Sequence, residues 1–279
     1  MGEPAETSAE APPPLLTRIL RSPLAWLGGV LSAVAAAVLG PWAQGGGQDL
    51  LENVLGRPPL AVPVVEEHAP GPGPVAFRSR PSSAADRAVL LTAPSDEEFA
   101  ELSRRHDGGA VERLDVTITV ESRRSDLRIV DIRPRVRRST AILTGAYFLP
   151  DTSGEAPVIS LNADFDRPPV LLLAGEKGKK PYFTGKQIDL KRGERETLVI
   201  SFLSHRAAVE FDLQVLVVTG GRRMTQTIGG TDGGLFRVTG AARDHHAYRA
   251  VYAEEGRTWH RAGGKTLCAA FPASRGCRR

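Results

Sequence analysis

Cysteine is nearly absent from this chain: two among 279 residues, Cys268 and Cys277, both near the C-terminal end. That scarcity excludes a disulfide-rich scaffold, and no Cys-x-x-Cys pairing completes the four-ligand set that structural zinc prefers. Catalytic signatures are missing as well. No Gly-x-Ser-x-Gly elbow occurs, and Ser204-His205 stands without a nucleophile arrangement. The glycines at 229, 230, 233 and 234 lack the spacing and the strand-to-helix setting of a phosphate loop. The expectation is therefore a protein without cofactor or metal, and without a nucleic-acid partner. Lysine is also scarce beside arginine while Ala, Gly and Pro abound, a bias typical of a GC-rich bacterial gene.

A fourth absence carries the most information. From Ser22 to Gln48 there is no Asp, Glu, Lys or Arg, and Pro23 to Ala43 is almost wholly apolar. As a helix this stretch reaches roughly 31 Å, against a hydrocarbon core of about 30 Å. Trp26 and Trp42 stand near its ends, where indole rings suit the headgroup boundary. A soluble core helix would carry a polar face, which this run lacks. A cleaved signal peptide is the other reading, since basic residues precede an Ala-rich centre. Arg18 and Arg21 lie before the span and no base follows it until Arg57, so the N-terminus is expected in the cytoplasm and the rest outside.

The expected organisation runs as follows. Residues 1–21 form a disordered cytoplasmic tail, 22–44 a transmembrane helix, and 45–93 a spacer dense in Pro and Gly. Residues 94–262 make the folded domain, and 263–279 a basic C-terminal tail. The spacer reading rests on the Pro- and Gly-rich stretch from Pro58 to Pro81, because proline fixes φ and removes a donor. In the domain, Ser95 and Glu98 make a capping box for one short helix that ends near Arg104 and Arg105.

After Gly109 the period changes to two. Leu114, Val116, Ile118 and Val120 alternate with polar residues, and so do Val209, Phe211, Leu213, Val215 and Val217. Val130, Ile132 and Val136 suggest a further strand, and shorter candidates cover 158–163, 170–174, 198–203, 224–228 and 235–239. Gly220-Gly221 suits a tight hairpin, and a second hairpin is expected about Glu255 and Gly256. Short strands at this spacing predict a mainly β fold: an antiparallel β-sandwich of immunoglobulin or fibronectin type.

Arg133, Arg135 and Arg137 fall on one side of their strand and form the candidate binding residues. Such a basic face would meet an anionic envelope polymer, lipid headgroups or a protein, while Asp126 and Asp131 would partly neutralise it. Asn162, Asp164 and Asp166 also share a direction but supply too few oxygens for calcium. His245 and His246, with Asp244, Glu254 and His260, resemble a ligand cluster. Adjacent histidines on a strand, however, point to opposite faces. Cys268 and Cys277 are candidates for a disulfide outside the membrane, closing a short loop.

The function these features predict is a single-pass membrane protein that presents an extracytoplasmic binding module without catalysis. The alternatives are an envelope hydrolase whose site assembles in three dimensions around His205, His245, Asp164 and Asp166, and an inverted topology with a cytoplasmic regulatory domain. A reporter that is active only in the cytoplasm should stay silent when fused after Arg279; a working fusion would establish the inverted arrangement.

Overall fold

The computed structural model describes residues 47–68, 73–151, 161–175 and 180–277. The expected tail and apolar span, residues 1–44, lie outside them, as do residues 69–72 of the expected spacer. Among the described residues no helix is long and apolar enough to cross a membrane. The chain divides into two compact units, Met1–Arg57 and Pro58–Arg279.

The described part of the first unit is helix α1 (Gly47–Val54) and its exit. Gly56, at φ 64°, reverses the chain so that the Arg57 N–H returns to the Glu52 carbonyl at 3.0 Å. This is a Schellman stop, in which glycine takes the left-handed position that a side chain disfavours.

The second unit is mainly β, with a large sheet and few helices. Its early elements are β1 (Leu60–His68), β2 (Val75–Phe77), α2 (Ala84–Leu91) and α3 (Asp96–Arg105). Next come β3 (Gly109–Ser122), β4 (Leu127–Thr140), β5 (Ala146–Leu149), β6 (Leu161–Asp164), β7 (Leu173–Ala174) and the single turn α4 (Tyr182–Gly185). The chain continues through β8 (Ile188–Leu190), β9 (Arg195–Ser204), β10 (Ala208–Thr219), β11 (Arg222–Ile228) and β12 (Phe236–Thr239). It closes with β13 (Val251–Glu255), β14 (Thr258–Arg261) and α5 (Gly264–Ala270).

Strand β3 organises the unit. Its first residues lie between β2 and β12, with Ala110 opposite both Val75 and Val238. From Glu112 onward it pairs with β9, and from Asp115 with β1 on its other edge. Glu112 adopts φ 64°, a left-handed conformation that costs a non-glycine residue about 1 kcal/mol. The strand thereby leaves one sheet and enters the other, as strands do at the corners of packed sheets. One branch runs β1-β3-β9-β6-β7; the other runs β14-β13-β5-β2-β3-β12-β10-β4-β8, with β11 beside β10.

The two branches contribute to one apolar cluster. Leu114, Val116, Ile118 and Val120 of β3 join Ile200 and Phe202 of β9 with Phe211, Leu213, Val215 and Val217 of β10. Most strand pairings are antiparallel. β6–β9, β12–β3 and β13–β5 are parallel, which a purely antiparallel expectation did not contain. Gly220 and Gly221, at φ 52° and 71°, turn β10 into β11, and Gly256 and Arg257, at 56° and 68°, turn β13 into β14. Two successive positive φ values match the twist of a two-residue hairpin.

The β2-β5-β13-β14 portion is covered on both faces because its residues alternate. Phe77, Phe148, Tyr252 and Trp259 meet Leu90 of α2 and Leu102 of α3 on one side. Tyr147, Tyr248, Val251 and Phe271 form the cluster on the other, where Leu267 of α5 packs. Residues 263–279 are therefore not simply a tail. Phe271 is buried there, and Cys268 and Cys277 are joined by a disulfide with Cα atoms 5.1 Å apart.

The spacer expected over 45–93 is corrected in the same way. Leu60 is fully buried, β1 pairs along β3, and Pro63 falls inside the register shift between Ala61 and Val64. An edge strand tolerates proline at such a bulge, where no ladder donor is needed. The Gln226 side chain secures the start of β1 by accepting from the Leu60 N–H and donating to the Leu60 carbonyl, both at 3.0 Å.

Helix α3 begins at Ser95 with the capping box completed by Glu98. α2 has an equivalent box from Ser83 and Asp86. Asp86 is buried and also takes Arg105 Nη1 at 3.0 Å and lies 3.2 Å from His106 Nε2, so one carboxylate clamps both helices. Burial alone would raise its pKa; the hydrogen bonds from Ser83 and the His106 imidazole outweigh this and hold it below the ordinary carboxylate value. Its stabilising effect is therefore complete above about pH 4 and is lost as pH falls through the lowered folded value. Denaturant titrations across pH should show Asp86→Asn less stable by about 2 kcal/mol at pH 7, with a shallower loss of stability below pH 4.

Candidate functional site

The arginines of β4 do not stand as an unopposed basic row. Arg135 lies opposite Asp212 in the β4–β10 register, and the ladder shifts between Glu210 and Phe211, leaving Arg137 as the extra residue of a bulge. Both guanidiniums consequently reach one carboxylate. Arg135 donates to the two Asp212 oxygens at 2.8 and 2.9 Å, and Arg137 Nε donates to Oδ2 at 2.7 Å. Arg133 instead engages Asp131 of its own strand.

A neighbouring pair extends the arrangement. Glu210 accepts from Arg78 Nη2 at 3.0 Å and lies 3.6 Å from Arg138 Nη1. Arg78 Nε is 3.5 Å from Asp107, and Arg237 Nη2 approaches the same carboxylate at 3.6 Å. Three acids are thus each bracketed by two guanidiniums drawn from five arginines. Asp212 and Glu210 are only 3% and 9% exposed, whereas the Arg137 and Arg138 side chains are 44% and 53% exposed. Asp212 and Glu210 form the floor with Arg137 and Arg138 as the outer layer, whereas Asp107 is itself 47% exposed. A guanidinium carries five donors, so one held from below on its inner edge still offers N–H groups outward.

Two small hollows supply the other polar groupings. One, of ≈ 230 Å³, is lined by Asp164, Asp166, Arg167, His205 and Arg206. Its acids are engaged in holding the loops: Asp164 Oδ1 accepts from the Asp166 N–H at 2.9 Å, and Asp166 Oδ2 from the His205 N–H at 2.7 Å. Asn162 turns to the Gly175 carbonyl and does not join them. His245 lines the second hollow, so the four-residue cluster expected of a hydrolase is split between two places.

The second hollow, of ≈ 260 Å³, includes His245, His246, Tyr248, Arg249, Arg261 and Leu267. The chain here is not a strand. His245–Ala247 form a 3-10 turn whose N-cap is Asp244, and Asp244 Oδ1 accepts from the His246 N–H at 3.0 Å. The two imidazoles therefore lie beside each other, with ring centres 4.1 Å apart, instead of on opposite faces. Ligand atoms of Asp244, His245 and His246 all fall within 4.8 Å of one another. His260 is elsewhere, bonded to Thr258 at 2.8 Å.

Local contacts fix this turn. The buried Ser274 hydroxyl accepts from the His245 N–H at 2.9 Å, which links the turn to the disulfide-closed segment. The backbone hydrogen bond from His246 is the main cause of a lowered Asp244 pKa, helped by Ser274 and the two histidines against desolvation. Burial raises the pKa of Tyr248, whose hydroxyl accepts from the Ala242 N–H at 2.8 Å. The signal for the turn was Asp244 immediately before two histidines, a short N-cap pattern in a segment without alternation.

No family model, curated protein or solved structure matches the chain. The charge arrangement yields its own test. Asp212→Asn removes the anion between two guanidiniums and should lower the unfolding free energy by about 3 kcal/mol, while Arg133→Ser changes it by less than about 0.5 kcal/mol. Urea denaturation of the two variants measures the difference.

Proposed function

We propose that this chain is a membrane-anchored binding protein, held by its apolar N-terminal span, whose outward domain recognises an anionic polymer of the cell envelope without transforming it. The observation that carries the reading is the layered charge of the β4–β10 face: buried acids beneath, partly exposed arginines above. Arginines already oriented by Asp212 and Glu210 lose little conformational freedom on meeting a phosphate or carboxylate, and their planar forks suit bidentate contact. A repeating anion presents such groups in series, which suits an extended face better than a deep cleft.

Two further features support the same reading. The Cys268–Cys277 disulfide accords with an oxidising compartment beyond the membrane. The immunoglobulin or fibronectin comparison applies to layering alone, in which stacked sheet faces enclose a core and leave an outer face for recognition.

The full chain in non-ionic detergent should bind poly(glycerol phosphate) in preference to uncharged dextran, with affinity falling as salt is raised. The combined variant Arg133→Ser, Arg137→Ser, Arg138→Ser should lose about tenfold at low salt, three exposed ionic contacts each contributing about 0.5 kcal/mol. Equal retention of dextran, or unchanged affinity of the triple variant, would overturn the assignment.

A further inference from the structure

We infer that Asp244, His245 and His246 form a binding site for a divalent transition-metal ion, with Zn²⁺ the natural probe. Two imidazoles and one carboxylate are borderline donors suited to zinc and its first-row neighbours, and poorly matched to calcium or magnesium, which favour all-oxygen shells. This site is separate from the arginine face and does not rest on the polymer reading.

The geometry supports the inference in three ways. All three donors already lie within 4.8 Å, and His245 Nδ1 stands 4.0 Å from Asp244 Oδ1. Tetrahedral ligands at zinc bond lengths of about 2.0–2.1 Å are about 3.3 Å apart, so closure requires only a small side-chain contraction. Second, His245 Nδ1 is buried and has no hydrogen-bond partner. A buried imidazole nitrogen without a partner is costly, and an ion between it and the Asp244 carboxylate would satisfy both. Third, the turn is braced, from outside the donor set by the Ser274 hydroxyl on the His245 N–H and from within it by the Asp244 cap on the His246 N–H. Supports of this kind orient metal ligands and sustain their affinity.

Three protein donors leave at least one coordination position for water or another ligand. That position adjoins the hollow shared with Arg249 and Arg261. Their positive charge opposes a bare cation there and favours an anionic or hydroxide ligand on the open side. The site is thus of the open kind, with affinity below that of a closed four-ligand centre.

Isothermal titration of the full chain in detergent with Zn²⁺ alone should give one site per chain, and Co²⁺ should produce a visible absorption band of low-symmetry nitrogen and oxygen coordination. His246→Gln and Asp244→Ser should each weaken binding by about tenfold or more, the range typical even of supporting residues. Asp244→Ser is the decisive variant, because serine retains the cap on the turn while removing the carboxylate ligand. His260→Ala and His205→Ala should leave the affinity and the Co²⁺ band unchanged. An unaltered affinity in Asp244→Ser with an unaltered melting profile, or an equal loss in His260→Ala or His205→Ala, would refute the site.

Discussion

One strand pairing with four others sets the terms for this domain. β3 is fourteen residues long, and its two ends belong to different sheets. A strand has only two edges, so four partners can be accommodated only if its length is divided between them. The left-handed residue Glu112 makes that division. Everything else follows from the two halves. Beyond the bend, Leu114, Val116, Ile118 and Val120 face the large apolar core, and before it Ala110 and Val111 join the longer branch, whose β2-β5-β13-β14 end is clothed by helices. The local strain of about 1 kcal/mol at Glu112 is small beside the burial of four β3 side chains, each contributing about 1.5–3 kcal/mol.

The same logic of one side in, one side out produces the charged face. Phe211 and Leu213 enter the core, which obliges Glu210 and Asp212 to face outward between neighbouring strands. There they are too crowded to remain solvated, and arginines from two segments, β4 and the turn after β2, cover them. The resulting surface is neither a row of free cations nor a neutralised patch. Asp212 and Glu210 are inaccessible while Arg137 and Arg138 are not, so over β4 the side presented outward is mainly positive although the ion pairs beneath it are satisfied.

Much of the β framework was legible because it depends on local pattern. The alternations at Leu114–Val120 and Val209–Val217, the Gly220-Gly221 turn, the hairpin at Gly256 and the Ser95 cap all rest on neighbours within a few residues. What escaped was governed by distant partners or by exceptions. Pro63 disguised β1, since nothing local reveals that its missing donor falls at a bulge on an edge. Val130 and Val136 looked like core positions, but the ladder slips near each, so Ile129 and Ile132 are the buried pair. Asp212 lies 75–77 residues from the arginines it holds, and no spacing rule connects them. At His245-His246 the turn brings together side chains that a strand would separate, and no alternation in the sequence marks which of the two forms.

The Gln226 amide gives the fold a mechanical property. It grips both polar backbone groups of Leu60, the first residue of β1. Any pull on the polypeptide from before Pro58 meets first the bond from the Arg123 N–H to the Pro59 carbonyl and then that grip, whose two bonds must rupture together before the β1 ladder starts to unzip. Tension arriving along the chain is thus met at the threshold of the domain by a side chain of β11, a strand that pairs along β10 and passes the load into the sheet behind it.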